Sequence, residues 1–381
     1  MKLIKNGLVF HNKSFEKKDI LIDGTKIVNI GKDITENECK IIDAYNCWVL
    51  PGFIDIHTHG GIGCDVMTGK YEELDKLSYF FASKGVTSFL PVVMTGAIEE
   101  MLGALRNIKL AIRKKTSGAK IIGINMEGPF INHEYKGAHP IEHITLPSIE
   151  LLERFIDEAG GSISMMTMAP ELEGVFELVN HFKESGIVFC AGHTAADYNM
   201  ATNAFERGFS HVTHLFNAMA RMHHRSPGLA GAALEKENIS VELIGDGIHV
   251  NPAFIKMALK CKSSDNIILI TDSIIATGLE SGSYYFAGKE IYVENGVSKD
   301  KNGVIAGGTI TMIDAMKNMV QKWDIPIKDC IKMIVENPSK IAGVFNKKGS
   351  LSYGKDADII IVDKNMNVLL TMAEGNIVYK A

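Results

Sequence analysis

Two histidines one residue apart stand at the end of an apolar run early in the chain. His57 and His59 follow the segment 49–56, VLPGFIDI, and precede two glycines. Alternate side chains of a strand share a face, so Asp55, His57 and His59 would point the same way. Two imidazoles this close can share one metal ion, and the glycines let the backbone turn away. The alternative is a polar strand end with two solvent-facing histidines.

Three further candidate ligands also stand where an apolar run stops. Glu127 is followed by a Gly-Pro pair, and His193 and His214 each end a short apolar segment. A lone glutamate at a strand end is usually solvated. At the C-terminal ends of neighbouring strands, however, these side chains would face the histidine pair and could ligate or bridge cations. The predicted metal ligands are therefore His57, His59, Glu127, His193 and His214.

One carboxylate has the position of a proton carrier. Asp272 follows the apolar run 267–271, where it could take the proton of a water molecule. The alternative is a helix N-cap, which aspartate often supplies. With five candidate ligands at the same end of the sheet, we predict that Asp272 is the catalytic acid/base. His211 is expected to be structural or to lie behind the ligands. His223 and His224 are expected to line the entrance of the site or to face solvent.

The available side chains limit the metal and its chemistry. The six cysteines are scattered without a CxxC pair, which fits a reduced compartment and disfavours a thiolate zinc site. Nitrogen and oxygen ligands suit one or two divalent ions, Zn²⁺ first, with Fe²⁺, Mn²⁺ or Co²⁺ as alternatives. Such a cation lowers the pKa of water towards ~7 and polarises a carbonyl, which predicts hydrolysis of an amide or ester. No GxSxG, GxxxxGK[ST] or GxGxxG motif favours a serine hydrolase, a phosphoryl transferase or a dinucleotide enzyme.

The elements that must position these residues alternate between strand and helix. The predicted strands are 52–57, 86–93, 120–127, 162–169, 187–193, 211–214, 241–245 and 266–271. The predicted helices between them include 72–84, 99–115, 148–158, 171–185 and 196–207. Eight βα units predict an α/β fold, a (β/α)₈ TIM-type barrel with its active site at the C-terminal strand ends. A doubly wound open sheet is the alternative, although its Gly-rich first turn is missing.

Both ends of the chain are rich in short strands. The predicted terminal strands are 3–10, 19–22, 26–30, 41–43, 357–363, 368–372 and 375–379. Short β segments rarely fold alone, so we expect them to pair as one small β-sandwich domain, 1–50 and 346–381, beside a hydrolase barrel at 51–345. Within the barrel, residues 283–305 predict a β-hairpin insertion beside the site.

Composition excludes several classes of protein. With 46% hydrophobic and 22% charged residues, the 381-residue chain is typical of a globular protein. The formal charge of −5, without a long basic run, argues against nucleic acid or an anionic membrane surface as partner. No apolar run is long enough for a membrane span, and the N-terminal apolar stretch is too short for a signal peptide. We expect a cytoplasmic protein.

Taken together, these motifs resemble the amidohydrolase superfamily, and within it the N-acetylglucosamine-6-phosphate deacetylases. The matching stretches are PGFIDIHTHG (51–60), MEGPFIN (126–132), KGAH (136–139), AGHTAA (191–196), THLFNAM (213–219), GDGIHV (245–250), ITDSIIATG (270–278) and IAGGTITM (305–312). HxH is shared by most of the superfamily, whereas MEGPF, GHTxA and THLFNAM together are far more specific. The resemblance spans the chain, including the split terminal domain.

The resemblance implies hydrolysis of the acetamido group of N-acetylglucosamine 6-phosphate to glucosamine 6-phosphate and acetate, a step in amino-sugar recycling. Glu127, His193 and His214 resemble the ligands of the ion kept throughout the family, and Asp272 its acid/base. His57 and His59 match members that can hold a second ion, with Glu127 as the bridge.

The resemblance also implies substrate contacts. Ala138 and His139 resemble residues near the acetamido group and sugar, with His139 as a carbonyl polariser. Asn217 and Ala218 resemble phosphate-side contacts, Arg225 the cation that pairs with phosphate, and His249 a residue reaching the phosphate from a neighbouring subunit, which implies a homodimer. Ile305, Ala306 and Gly307 resemble a loop over the sugar.

Two of these residues have another interpretation: Arg225 could instead be a solvated loop cation and His249 a turn histidine. Some members have a cysteine after MEGPF, but 131–136 has none, so no thiol role is expected.

Three alternatives remain for the function. Another amidohydrolase, such as a cyclic-amide hydrolase or a deaminase, shares the metal chemistry, although many of those carry a bridging carboxylated lysine where this chain has Glu127. A scaffold without activity would usually have lost ligands or the base. A carbohydrate-binding module would need exposed aromatic platforms, and the chain has only two tryptophans.

Overall fold

Eight parallel strands form a nearly closed barrel in the computed structural model, which describes residues 1–381. In chain order they are β1 (Phe53–Thr58), β2 (Val86–Met94), β3 (Ile124–Glu127), β4 (Ile163–Met168), β5 (Val188–Ala191), β6 (Phe209–Val212), β7 (Ser240–Ile244) and β8 (Ile267–Ile270). Each strand pairs in parallel with its chain neighbour. The segment after β8 meets β1 through a bridge between Thr58 and Ser273. The predicted (β/α)₈ barrel is confirmed.

Several strands are shorter than the sequence predicted. β5 ends at Ala191 and β6 at Val212, two residues before His193 and His214. The reason is backbone conformation, because His193 has φ +49° and His214 φ +29°, and a strand requires negative φ. The predicted strand 120–127 is divided into a short Lys120–Ile121 strand and β3. Both parts pair with β2, so the division leaves Glu127 at the barrel end.

Helices surround the strands. Their bounds are Tyr71–Ser83, Ile98–Lys114, Ile149–Ala159, Val175–His181, Tyr198–Glu206, Gly228–Glu235 and Pro252–Lys262. Ser148 and Asp197 cap two of them, each accepting a hydrogen bond from a backbone N–H of the first turn, at 3.1 and 2.8 Å. None of the helices is both long and apolar enough to span a membrane.

The predicted helix 171–185 begins later than expected. It spans Val175–His181, because Gly174 before it has φ +83°. Glu171 instead accepts hydrogen bonds from the Ala195 backbone N–H at 2.7 Å and the Asn132 side chain at 2.9 Å. These two residues belong to the loops after β5 and β3, so Glu171 joins two loops at the functional end of the barrel.

The last helical region is broken into short pieces. It comprises α-helical Met312–Lys317, Ile327–Ile331 and Asn337–Ile341, with π-helical turns at Asn318–Lys322 and Lys332–Glu336. A 3₁₀ turn, Ile141–His143, lies in the loop after β3. The last two helical pieces pack against β1 and β8, which closes the barrel where strand pairing is sparse.

The chain termini form two sheets packed on a shared core. One contains Lys2–Lys5, Asp19–Asp23, Lys26–Gly31 and Lys40–Asp43, and the other Leu8–His11, Ser14–Lys17, Trp48–Pro51, Ile359–Val362, Val368–Ala373 and Asn376–Lys380. Antiparallel pairing of Trp48–Pro51 with Ile359–Val362 joins the two termini, as a β-sandwich requires. The predicted strand 3–10 is in fact two strands, because Asn6 has φ +65°. The predicted domain limits, 1–50 with 346–381 and 51–345, stay a prediction.

The insertion has three strands rather than the two of a hairpin. Gly282–Phe286, Lys289–Glu294 and Val297–Asp300 form an antiparallel meander. Its apolar side chains Phe286, Ile291 and Val293 are buried in one cluster with Ile274, which follows β8. The meander therefore covers the loop that carries Asp272.

Candidate metal centre and active-site cavity

One buried carboxylate stands at the centre of the predicted ligands. The Glu127 Oε1 atom lies 3.0 Å from Nε2 of His193, 3.0 Å from Nε2 of His214 and 3.5 Å from Nε2 of His57. Its Oε2 atom lies 3.5 Å from Nε2 of His59. The five side chains come from four different strands or the residues just after them, so the fold brings all five predicted ligands together.

Three of the site residues share an unusual backbone conformation. His193, His214 and Asp272 each stand two residues after a barrel strand ends, with φ of +49°, +29° and +50°. Non-glycine residues rarely adopt positive φ, and such residues concentrate at functional sites. The turn at each strand end directs the side chain to the barrel mouth instead of continuing the alternation of the strand.

Hydrogen bonds fix the tautomers of two ligands. The Nδ1 atom of His193 donates to the Tyr135 carbonyl at 2.8 Å, and Nδ1 of His214 donates to the Asn217 carbonyl at 3.2 Å. In a neutral imidazole this leaves Nε2 unprotonated. The two Nε2 lone pairs and the Glu127 carboxylate therefore face one another, an arrangement that a cation stabilises and that suits N/O-coordinated divalent ions.

Asp272 lies beside the histidine pair. Its Oδ1 atom is 3.0 Å from Nε2 of His59 and 3.6 Å from Nε2 of His57. Burial raises the pKa of the Asp272 carboxyl, but the hydrogen bond from His59 and the charge of His57 outweigh burial and lower it. Asp272 caps no helix, since β8 is followed by a turn, and it is ionised and directed at the ligands.

Burial and neighbouring side chains also act in opposite directions on the pKa of Glu127. Burial raises the pKa of this carboxyl, but the neighbouring rings of His57, His139 and His193 outweigh burial and hold it well below its ordinary value. An ionised, buried carboxylate is the form that binds or bridges cations.

His139 belongs to the ligand cluster as well as to the substrate side. The Nε2 atom of His139 lies 3.2 Å from Oε2 of Glu127, and His139 is only 2% exposed to solvent. Burial lowers the pKa of His139 to about 4, although Glu127 acts in the opposite direction. The ring is neutral at pH 7, and Glu127, His139 and His193 form a second group of atoms close enough to hold an ion.

A cavity of about 610 Å³ opens in front of these residues. Its walls contain most of the predicted substrate contacts, which are Ala138, His139, Asn217, Ala218, His249, Ile305 and Gly307. Ala306 lies behind this wall, in contact with the meander. The cavity is large enough for a small polar metabolite, and its floor is the ligand cluster.

Two predicted phosphate contacts differ in whether they line the cavity. Arg225 does not line the cavity, because a tight turn between His223 and Ser226 exposes it and its guanidinium lies 2.8 Å from the His224 ring. His249 lines the cavity of its own chain, and its reach to the phosphate of a neighbouring subunit stays a prediction. A hydrogen bond of 2.6 Å between its Nδ1 atom and Asp246 holds the ring there.

Other residues at the site were missed or misplaced by the sequence reasoning. Arg221 lines the cavity, and no carboxylate lies within ion-pair distance of it. Asp55 does not join the ligands, because it accepts a hydrogen bond from the Thr271 hydroxyl at 2.6 Å, and burial raises its pKa to about 7. Glu242 lies fully buried behind His57 and His214. A charged residue in the otherwise apolar run 241–244, VELI, was the available signal.

Known proteins similar to this chain are amidohydrolases and, among them, deacetylases of sugar phosphates. A family model described as "Amidohydrolase family" matches residues 48–378. An N-acetylglucosamine-6-phosphate deacetylase of Bacillus subtilis (strain 168) is 40% identical over 334 residues, 87% of this chain and 84% of that protein. An N-acetylgalactosamine-6-phosphate deacetylase of Escherichia coli O157:H7 is 33% identical over 344 residues, 90% of this chain and 89% of that one. The structure of a mutant Mycobacterium smegmatis N-acetyl-D-glucosamine-6-phosphate deacetylase with N-acetyl-D-glucosamine-6-phosphate superposes with a TM-score of 0.93, 27% identity and coverage of 100% and 99% of the two chains.

Proposed function

The chain belongs to the amidohydrolase family, and from this premise we propose that it is a metal-dependent deacetylase. Its reaction is the hydrolysis of N-acetyl-D-glucosamine 6-phosphate to D-glucosamine 6-phosphate and acetate, within amino-sugar metabolism. The observation that carries this proposal is the cluster of Glu127, His193 and His214 beside Asp272, on the floor of a cavity whose sequence motifs match deacetylases.

Asp272 and the metal ligands have separate roles in the proposed hydrolysis. A bound divalent cation supplies positive charge that polarises the acetamido carbonyl and makes water a better nucleophile at neutral pH. Asp272 takes a proton from the attacking water, whose oxygen bonds to the carbonyl carbon. As the C–N bond breaks, Asp272 returns that proton to the sugar nitrogen, so acetate and the free amine leave. The Oδ1 atom of Asp272 lies 3.0 Å from Nε2 of His59, so the aspartate stands beside the proposed second-ion site.

His139 orients the acetamido group in this proposal. Its ring is neutral and buried, and its single N–H, on Nε2, faces Glu127 at 3.2 Å; when a bound ion engages Glu127, this N–H is the donor that we assign to the acetamido oxygen. Ala138 stands next to it, while Ile305 and Gly307 form the wall over the sugar. Asn217, Ala218 and His249 line the part of the cavity assigned to the phosphate.

The number and identity of the ions are part of the proposal. We assign the first ion to Glu127, His193 and His214, and a second to His57 and His59 with Glu127 as the bridge. The imidazole and carboxylate donors of the cluster suit Zn²⁺, which we propose first, with Fe²⁺, Mn²⁺ and Co²⁺ as alternatives.

We also propose a homodimer, with Arg225 rather than His249 as the residue that crosses between subunits. His249 is held inside its own cavity by Asp246. Arg225 is exposed on the loop that also carries the cavity residue Arg221, and it contacts no carboxylate. It is therefore free to approach the phosphate bound by a neighbouring chain. A cytoplasmic location is proposed from the six unpaired thiols.

Acetate release from the purified, metal-loaded protein tests the function. We expect rapid release from N-acetylglucosamine 6-phosphate and much slower release from unphosphorylated N-acetylglucosamine. N-acetylgalactosamine 6-phosphate is included because a relative with 33% identity is named for it. Equal rates with and without phosphate would reject the phosphate recognition, and ammonia release or ring opening of a cyclic amide without acetate release would favour the alternative amidohydrolase activities.

A further inference from the structure

A carboxylate outside the ligand cluster contacts two of its members. Glu242, in the middle of β7, is fully buried and lines no part of the active-site cavity. Its Oε2 atom lies 3.1 Å from Nδ1 of His57 and accepts a hydrogen bond from the backbone N–H of His214 at 2.9 Å. Its Oε1 atom lies 3.2 Å from Nε2 of His211.

No lysine or arginine neutralises this buried charge. Its partners are two imidazole rings and one backbone amide, and a buried carboxylate is costly without such partners. At 3.1 Å the Nδ1 atom of His57 donates to the carboxylate, so the side of the ring that faces Glu242 carries a proton.

The proton on Nδ1 leaves Nε2, on the opposite side of the His57 ring, as the nitrogen available to a metal ion. With Nδ1 donating to Glu242, the Nε2 atom of His57 faces Glu127 and Asp272, at 3.5 and 3.6 Å, and is the ring nitrogen that a metal ion would bind. This Nε2 atom is buried and has no hydrogen-bond partner in the protein. A buried ring nitrogen without a hydrogen-bond partner, between two carboxylates and with the other nitrogen held by a third, has the placement of a metal ligand.

The other histidines of the cluster are oriented in different ways. His193 and His214 donate Nδ1 to backbone carbonyls, and Nδ1 of His59 is buried without a partner. His57 is therefore the one ligand whose far nitrogen faces a carboxylate, the pairing that raises the basicity of a metal-binding imidazole.

We propose that Glu242 is a positioning residue that makes His57 a ligand of the second ion. The same oxygen also holds the backbone of His214, so Glu242 connects the proposed second-ion site to the first. This inference rests on the proposed two-ion centre, but it concerns metal binding and not the identity of the substrate. The competing view is that Glu242 only satisfies buried His211, whose Nδ1 atom lies 2.7 Å from the Ser240 hydroxyl.

Metal titration separates these views. Purified Glu242→Gln, stripped with a chelator, is titrated with Zn²⁺ against a chromophoric chelator, and bound metal is counted by mass spectrometry. We expect two ions in the wild type, and in the variant a first ion of nearly unchanged affinity with a second bound roughly 10- to 100-fold more weakly. Asp358→Asn, which neutralises a buried carboxylate 2.8 Å from Lys348 in the terminal sheets, is the matched control and should keep both affinities. A second-ion affinity within about twofold of wild type would overturn the proposal.

A double-mutant cycle adds a second criterion. In a His57→Asn background, Glu242→Gln should cause no further loss of second-ion affinity, because its effect passes through His57. Fully additive losses would show that Glu242 acts elsewhere. If Glu242→Gln does not fold, ¹⁵N chemical shifts of histidine-labelled, Zn²⁺-loaded wild type decide the matter. His57 protonated at Nδ1 supports the proposal, and His57 protonated at Nε2 contradicts it.

The metal readouts do not depend on acetate release. Loss of the second ion in Glu242→Gln together with an inactive wild type would reject the proposed substrate and keep this inference. Full deacetylase activity of the wild type, together with unchanged second-ion binding in Glu242→Gln, would keep the proposed substrate and reject this inference.

Discussion

The Nε2 atoms of His193 and His214 lie 3.1 Å apart, and each is 3.0 Å from the same oxygen of Glu127. Both rings donate their other nitrogen to a backbone carbonyl, so their Nε2 atoms and the carboxylate converge on one point. In the metal-free protein burial lowers the pKa of His214, but the hydrogen bond and charge of Glu127 outweigh burial and raise it, and a bound cation would take the place of that proton.

We therefore expect metal removal to lower thermal stability. A cation at one hundred times its Kd adds about 2.7 kcal/mol to the free energy of unfolding, enough to raise Tm by several degrees. Calorimetry before and after chelation, and again after adding Zn²⁺, measures this shift. His181→Asn, at an exposed histidine of a barrel helix, should respond as the wild type does. Identical Tm values with and without metal would contradict the metal centre.

Replacement of Asp272 should separate proton transfer from metal binding. Asp272→Asn keeps the shape of the side chain but cannot take a proton, so kcat should fall roughly 10²-fold or more while the ion count stays unchanged. Initial rates of acetate release and metal analysis of the same samples test this. The exposed Asp23→Asn serves as the control. Near-normal turnover of Asp272→Asn would reject the acid/base role.

The metal-free protein should lose stability in mild acid through His139. Its pKa is lowered from 6.5 to about 4 in the folded state, so between these values the unfolded chain binds a proton that the folded chain does not. Stability therefore falls as pH falls through this window, by at most about 1.4 kcal/mol per pH unit. Denaturant unfolding of chelated wild type and His139→Asn at several pH values measures the difference. A wild type that is no more acid-sensitive than the variant would disprove the shift.

The segment carrying Asp272 should not tolerate a side chain at Gly308. A Cβ atom there would lie 2.2 Å from the Thr271 carbonyl oxygen, and the Gly308 N–H donates to the Asp272 carbonyl at 2.7 Å. Gly308→Ala should lower the free energy of unfolding by about 1–3 kcal/mol and reduce activity. At Gly103, inside a helix, a Cβ meets nothing within 4 Å, so Gly103→Ala should be neutral or stabilising. Equal stability of the two variants would contradict this packing.

Subunit mixing tests the proposed role of Arg225. Asp272→Asn and Arg225→Ala chains, co-expressed with different tags and purified as heterodimers, should recover about half of wild-type activity, because one of the two sites has an intact Asp272 and receives an intact Arg225. Each homodimer should be weakly active. If Arg225 serves its own chain, both sites of the heterodimer remain defective and no activity returns.

The sequence alone determined which residues could do chemistry and the fold that carries them. HxH, Glu127, His193, His214 and Asp272 all follow apolar runs, and a parallel barrel places such positions at one end. Strand number and order, pairing of the termini and the family all follow from local pattern and motif. These features are encoded in contiguous residues, which is why they could be predicted.

Tertiary structure decided what depends on contacts between distant residues. The Nδ1 atom of His57 and the carboxylate of Glu242 are 185 positions apart in sequence, and no local pattern pairs them. Whether Arg225 or His249 faces the cavity depends on a turn and on one hydrogen bond that His249 donates to Asp246. Positive φ at His193 and His214 ended their strands early, because the barrel mouth constrains the backbone there more strongly than local propensity does.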